Sequence, residues 1–204
     1  MSGASSGGPA VVRPATPDDA PAVARLLATA LAAKYRPAFG ARAEDALVTL
    51  VGRGAPGVSR VLVAERDGVV VGAVRLALRR EHDAGLADRL VRQIGWLRAM
   101  RAFAVLSTIA DRGITADEAW VEELAVAPEA RRRGVARLLL DRCEREAREL
   151  GRRRLTLWVT GENTGAIALY RSSGFAVRSR RRWPLGRLLF RAAGALRMEK
   201  PLRV

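Results

Sequence analysis

The chain has 204 residues, 49% of them hydrophobic, a formal net charge of +15, one histidine and one cysteine. That length suits one domain with a full core, and no run reaches the roughly 18 apolar residues of a membrane-spanning helix. With Cys143 and His82 alone of their kinds, an internal disulfide is excluded and no metal site is expected.

The charge is uneven. Residues 131–204 carry 20 basic and 6 acidic side chains, whereas residues 1–130 carry 16 and 15. All the basic residues except Lys34 and Lys200 are arginine, which suits bidentate contacts with phosphate or carboxylate. A genome rich in arginine and alanine codons would give the same excess, so charge alone does not make nucleic acid a partner.

Residues 1–9 lack the basic start and apolar core of a signal peptide and read as a disordered tail. A reducing cytoplasm is the expected location. Val11-Val12-Arg13 reads as a short strand. Thr16, Pro17, Asp18 and Asp19 then signal a helix start, with apolar residues at 23, 26, 27, 30 and 31 on one face. Ala43 to Val51 predicts a second helix. Residues 60–65 and 69–78 form a hairpin about Arg66-Asp67-Gly68.

Residues 84–112 read as a mostly helical insertion, with Leu86, Leu90, Ile94, Leu97 and Met100 sharing a face that offers a homodimer surface. A strand over 119–126 follows, then a helix over 134–150 with Val135, Leu138, Leu139, Cys143, Ala147 and Leu150 inward. A strand at 155–159, a helix from Asn163 to Gly174, and strands at 175–177 and 195–200 complete the chain. A basic loop, 178–191, lies between the last two strands. The alternation predicts a mixed α/β sheet of six to seven strands with helices on its faces.

Strand, glycine-bearing turn and helix start at Leu124–Arg137 is an arrangement that binds phosphate: the first helical turn has unpartnered N–H groups and the positive end of the dipole. Gly134 and Ala136 keep the approach clear. Arg131-x-x-Gly134-x-Ala136 and Asn163-Thr-Gly-Ala-Ile-Ala-Leu-Tyr-Arg-Ser-Ser-Gly-Phe175 together resemble the coenzyme A turn and the N-x-x-A-x-x-L-Y-x-x-x-G-F signature of the GNAT superfamily of N-acetyltransferases.

The resemblance implies a GNAT-like sheet splayed between its fourth and fifth strands, with acetyl-CoA in the gap as cosubstrate. It implies an N-acetyltransferase domain over 10–204. Leu124, Ala125 and Val126 would pair with the pantetheine arm. The amides of Arg132, Arg133, Gly134, Val135, Ala136 and Arg137, beside Arg131, would hold the pyrophosphate, and Asn163 would reach the coenzyme arm. Asn163 is equally a plain helix cap, and the arginines equally a solvated turn.

Acetyl transfer to a primary amine needs a base, an oxyanion donor and an acid for the sulfur. The resemblance assigns the acid to Tyr170. Val126 N–H is the candidate oxyanion donor. Glu122, sharing strand parity with Leu124 and Val126, is the candidate base, with adjacent Glu123 on the opposite face as the alternative. Relatives that acetylate ribosomal-protein N-termini often carry glutamate on the strand before the asparagine, where this chain has Trp158. His82 reads as a surface residue and Cys143 as core. The acceptor is a small-molecule or peptide amine. A non-catalytic acetyl-CoA sensor and a basic binder of anionic surfaces or nucleic acid built on the 178–191 loop are the rival readings.

Overall fold

The computed structural model describes residues 8–51, 61–78, 86–107, 115–183, 187 and 192–202. Among these residues, seven strands make one sheet in the order β1-β2-β3-β4-β5-β7-β6: β1 (Val11–Pro14), β2 (Val61–Arg66), β3 (Val69–Ala77), β4 (Glu118–Val126), β5 (Arg154–Thr160), β6 (Ala176–Arg182) and β7 (Gly194–Pro201). Neighbours are antiparallel except β4 and β5, which run parallel.

The β2–β3 hairpin turns on Asp67 and Gly68, with φ of 51° and 76°. Two left-handed central residues match the twist of the flanking strands, which explains the Asp-Gly pair. The parallel ladder between β4 and β5 is short. It starts at Glu118↔Arg154 and ends at Val121↔Leu157, while β4 runs on to Val126 and β5 to Thr160. Beyond Val121 the two strands part.

Among the described residues there are seven α-helices, α1 (Ala20–Ala30), α2 (Ala32–Phe39), α3 (Ala43–Val51), α4 (Leu86–Ile94), α5 (Trp96–Ser107), α6 (Val135–Glu149) and α7 (Thr164–Ser172), of which α1 and α6 pack directly on the sheet. Arg13 anchors the start of α1, donating to both Asp19 and Glu65, while the Asp19 carboxylate accepts from the Thr16 N–H at 2.7 Å. Helix α1 buries Val23, Ala24, Leu26 and Leu27 against β3, β4 and α3. Each large side chain there contributes about 1.5–3 kcal/mol relative to exposure.

Helix α6 packs closely on β2–β4, and Gly72 is the reason. A Cβ at Gly72 would come within 2.9 Å of Val135 Cγ1 and 3.1 Å of Leu139 Cδ1. The buried stripe of α6 is Val135, Leu139, Leu140, Cys143 and Ala147; Leu138 and Leu150, expected inward, are exposed. Burial pushes the Cys143 thiol well above its ordinary range, consistent with a core role.

Three sequence expectations need correction. Helix α2 was not anticipated: Tyr35, Ala38 and Phe39 are buried at helical spacing, but Pro37 among them disguises the pattern. The insertion is two helices broken at Gly95 (φ 83°), so Leu90 and Ile94 are buried while Leu97 and Met100 point outward. Arg178–Arg182 belong to edge strand β6 rather than to a loop.

Candidate active site

After β4 the chain passes through a short 3-10 turn, Pro128–Ala130, and enters α6. Arg132 and Gly134 both take left-handed backbone conformations, at φ 61° and 80°. Alternation of this kind turns successive N–H groups into a concavity suited to an anion. The first internal bond of α6 runs from the Leu138 N–H to the Gly134 carbonyl at 3.0 Å. The N–H groups of Val135, Ala136 and Arg137 therefore precede any carbonyl partner in the helix.

A Cβ on Gly134 would meet nothing within 4 Å. The glycine is needed for its backbone conformation, not for room, and the turn opens onto accessible space. Arg131, Arg132, Arg133 and Arg137 are all exposed around it. Arg137 also donates to the Ser172 carbonyl at 2.9 Å and hydroxyl at 3.0 Å, tying the start of α6 to the end of α7.

The parted edge of β4 lies next to this turn. The Ala127 N–H donates to Val71 of β3 at 2.9 Å. Backbone groups alternate in direction along an antiparallel pair, so those of Leu124 and Val126 point away from β3, toward the gap before β5. The Val126 carbonyl accepts from Arg131 Nε at 3.2 Å. Ala125, by contrast, directs its backbone to β3 and its side chain into the core. Asn163 caps α7, accepting from the Ala166 N–H at 3.1 Å. That contact occupies its oxygen and not its amide nitrogen.

The two glutamates do not face opposite ways, because β4 carries a bulge. Arg75 of β3 stands opposite Glu123 and Leu76 opposite Val121, so Glu122 is the extra residue. The bulge cancels the parity rule and brings both carboxylates to the Arg75 and Tyr35 side. Arg75 Nε lies 3.1 Å from Glu122 Oε2, and the Tyr35 hydroxyl donates to Glu123 Oε1. Glu123 is buried and Glu122 is exposed, with 37% of its side chain accessible. Burial first, then the charge of Glu123, pushes the Tyr35 phenol well above its ordinary value.

Sequence reasoning missed both Tyr35 and Arg75. The signal for Arg75 was present as the single charge inside the apolar run Val69–Leu78.

Tyr170 sits in the last turn of α7, only 8% exposed, with its ring edge-on to Phe175 at 5.8 Å between centroids. Burial pushes its phenol up to about 12. Trp158, on β5, stands opposite Arg197 of β7. Next to it Glu118, 2% exposed, accepts from Arg197 at 2.6 Å and from the Trp120 indole at 3.1 Å, and the Arg197 guanidinium lies 5.2 Å over the Trp120 ring. His82, residues 1–7, and positions 184–186 and 188–191 of the basic stretch lie outside the described residues. Among the described residues, no group of His, Cys, Asp and Glu side chains could hold a metal ion, and no helix is long and apolar enough to cross a membrane.

Solved structures of the same fold are abundant. A putative acetyltransferase, yncA, from Salmonella typhimurium, solved with its cofactor acetyl-CoA, superposes with a TM-score of 0.63 at 20% identity, covering 96% of this chain and 95% of that one. The ribosomal-protein-S18-alanine N-acetyltransferase from Escherichia coli gives 0.60 at 20% identity, over 96% of both chains. The paia N-acetyltransferase from Thermoplasma acidophilum, in complex with coenzyme A, gives 0.62 at 15% identity, over 95% and 99%. No curated sequence matches significantly. The model of the acetyltransferase (GNAT) family matches residues 28–175, most of the chain. With the splayed β4–β5 pair and the α6 turn already in place, this match settles the affiliation: the chain belongs to the GNAT acetyltransferase family.

Proposed function

We propose that residues 10–204 form an acetyl-CoA-dependent N-acetyltransferase that moves an acetyl group to a primary amine by direct attack in a ternary complex. The observation that carries this reading is the adjacency of two backbone surfaces that no neighbouring strand or helix turn takes up: the outward-facing edge of Leu124 and Val126, and the N–H groups that open α6. The first can pair with an amide-bearing arm as an added strand would. The second can hold a pyrophosphate, with Arg131–Arg133 supplying countercharge. Arg131 would exchange its bond to the Val126 carbonyl for phosphate, releasing that carbonyl to the arm.

Glu122 serves as base, taking the proton from the incoming ammonium through a water. The amine nitrogen then bonds to the thioester carbon, and the Val126 N–H donates to the carbonyl oxygen as it gains charge. As the carbon–sulfur bond breaks, the Tyr170 hydroxyl gives its proton to the departing sulfur, leaving an amide and free coenzyme A. Glu123, buried and bonded to Tyr35, is less suited to the task.

The test is free-thiol release from acetyl-CoA by the purified chain across a panel of amines, amino acids, aminoglycosides and peptides. Product mass should rise by one acetyl group. Saturable acetyl-CoA binding with no turnover across the panel would point to a coenzyme-sensing module.

A further inference from the structure

Among its described side chains, helix α5 is packed inside out. It buries small residues, Ala99 and Ala102, toward α2, and exposes large ones: Trp96 (62%), Leu97 (81%), Met100 (48%) and Phe103 (40%). A helix that served only to cover α2 would place its large apolar side chains inward, where each gains about 1.5–3 kcal/mol. Spacings of three and four set the four exposed residues along one strip of α5. The break at Gly95 makes this possible, because it frees α5 from the register in which α4 buries Leu90 and Ile94.

The surroundings of the strip are cationic. Arg92, Arg98 and Arg101 are exposed on the same helix pair, and Asp88 is the one acid in residues 86–107. We propose that this strip is a docking surface for a lipid bilayer bearing anionic headgroups, with Trp96, Leu97, Met100 and Phe103 entering the interface and the arginines meeting the headgroups. Apolar residues including tryptophan on one side and arginine on the other are the composition of an interfacial helix. A second copy of the chain fits less well. A two-fold contact would bring two copies of the same cationic border, Arg92, Arg98 and Arg101, together in a chain of net charge +15. A polynucleotide fits less well too, since the centre of the strip offers phosphates no charge. The surface lies on α5, whose principal partner is α2, and makes no use of the α6 turn or β4.

The test is cosedimentation of the full chain with vesicles of phosphatidylcholine, with and without phosphatidylglycerol. Binding should require the anionic lipid, weaken with salt by about fivefold for each arginine engaged, and shift tryptophan emission to the blue. Trp96→Phe should bind but lose most of that shift. Leu97→Asp combined with Met100→Ser should lose about tenfold or more in binding while leaving the melting temperature unchanged. No binding to anionic vesicles, or equal binding by the double variant, overturns the proposal. So does a dimer in sedimentation that Leu97→Asp dissociates in a chain that ignores vesicles, or salt-sensitive polynucleotide binding lost with the same substitution.

Discussion

Arg75 Nε stands 3.1 Å from Glu122 Oε2, while the neighbouring carboxylate of Glu123 is held by the Tyr35 hydroxyl on the same side of β4. The two adjacent acids therefore have different surroundings: one accessible and paired with an arginine, the other buried under a phenol. Glu122→Gln should lower kcat by about 10²–10⁴-fold with little change in acetyl-CoA affinity or melting temperature. Glu123→Gln should instead cost about 1–3 kcal/mol of stability through its disturbed buried bond. Steady-state kinetics beside thermal melts separate the two, and the reverse pattern would move the base to Glu123.

Tyr170 carries a phenol raised to about 12 by burial. For an acid this means that the protonated form persists, so the donor is available at any pH below about 12. The profile of kcat/KM between about pH 6 and pH 10 should rise and level off with no falling limb from a tyrosine. Tyr170→Phe should lower kcat across that whole range while acetyl-CoA binding changes much less. Unchanged turnover would remove Tyr170 from the mechanism.

Gly134 tests the cradle, because strain and occupancy can be separated there. With φ at 80° and open space around it, Gly134→Ala should cost about 1–2 kcal/mol in stability. Gly134→Asn, which tolerates this conformation, should cost less. Gly134→Glu should abolish the rise in melting temperature that acetyl-CoA gives, by placing a carboxylate where phosphate binds. A retained rise in that variant would put the phosphates elsewhere.

Much of this was legible in the residues. The Asp67-Gly68 hairpin, the limits of α3 and the helix following Arg131–Gly134 follow from turn chemistry and apolar spacing, which are local. Register was not local. The bulge at Glu122 exists only because β3 lies alongside, so alternation along β4 gave the wrong face for one glutamate. Helix α2 was hidden by Pro37. The outward turn of Leu97 depends on a single glycine whose φ no periodicity reveals.

Gly72 is a further case of tertiary demand. Any side chain there presses on Val135 and Leu139. Gly72→Val should cost about 1–3 kcal/mol by overpacking. It should also weaken acetyl-CoA binding, because the start of α6 would be pushed from the sheet. Calorimetric titration beside a melt would check both, and full affinity in a destabilised variant would uncouple the helix position from the cradle.

Asp19 sets an acid limit on the fold. Its carboxyl is held at about 2, chiefly by the bond from Arg13, below its ordinary 3.8. A depressed folded value contributes stability above about pH 4 and loses it as pH falls toward 2. Asp19→Asn should remove that part of the acid dependence, about 1 kcal/mol once solvent screening is allowed for, which urea melts from about pH 2 to pH 6 would check.

The bulge in β4 has a consequence that no side-chain substitution can reproduce. Glu122 follows the last residue paired with β5 and is itself skipped by β3, so it belongs to neither ladder. It acts as a spacer as well as an acid. Deleting it would leave every pair of the β3–β4 ladder in place, Glu123 opposite Arg75 and Val121 opposite Leu76, and would remove only the kink between them. Because of that one extra residue, Glu118 and Trp120 share a face of the sheet with Glu123 and Ala125, although even and odd positions of an unbroken strand point opposite ways.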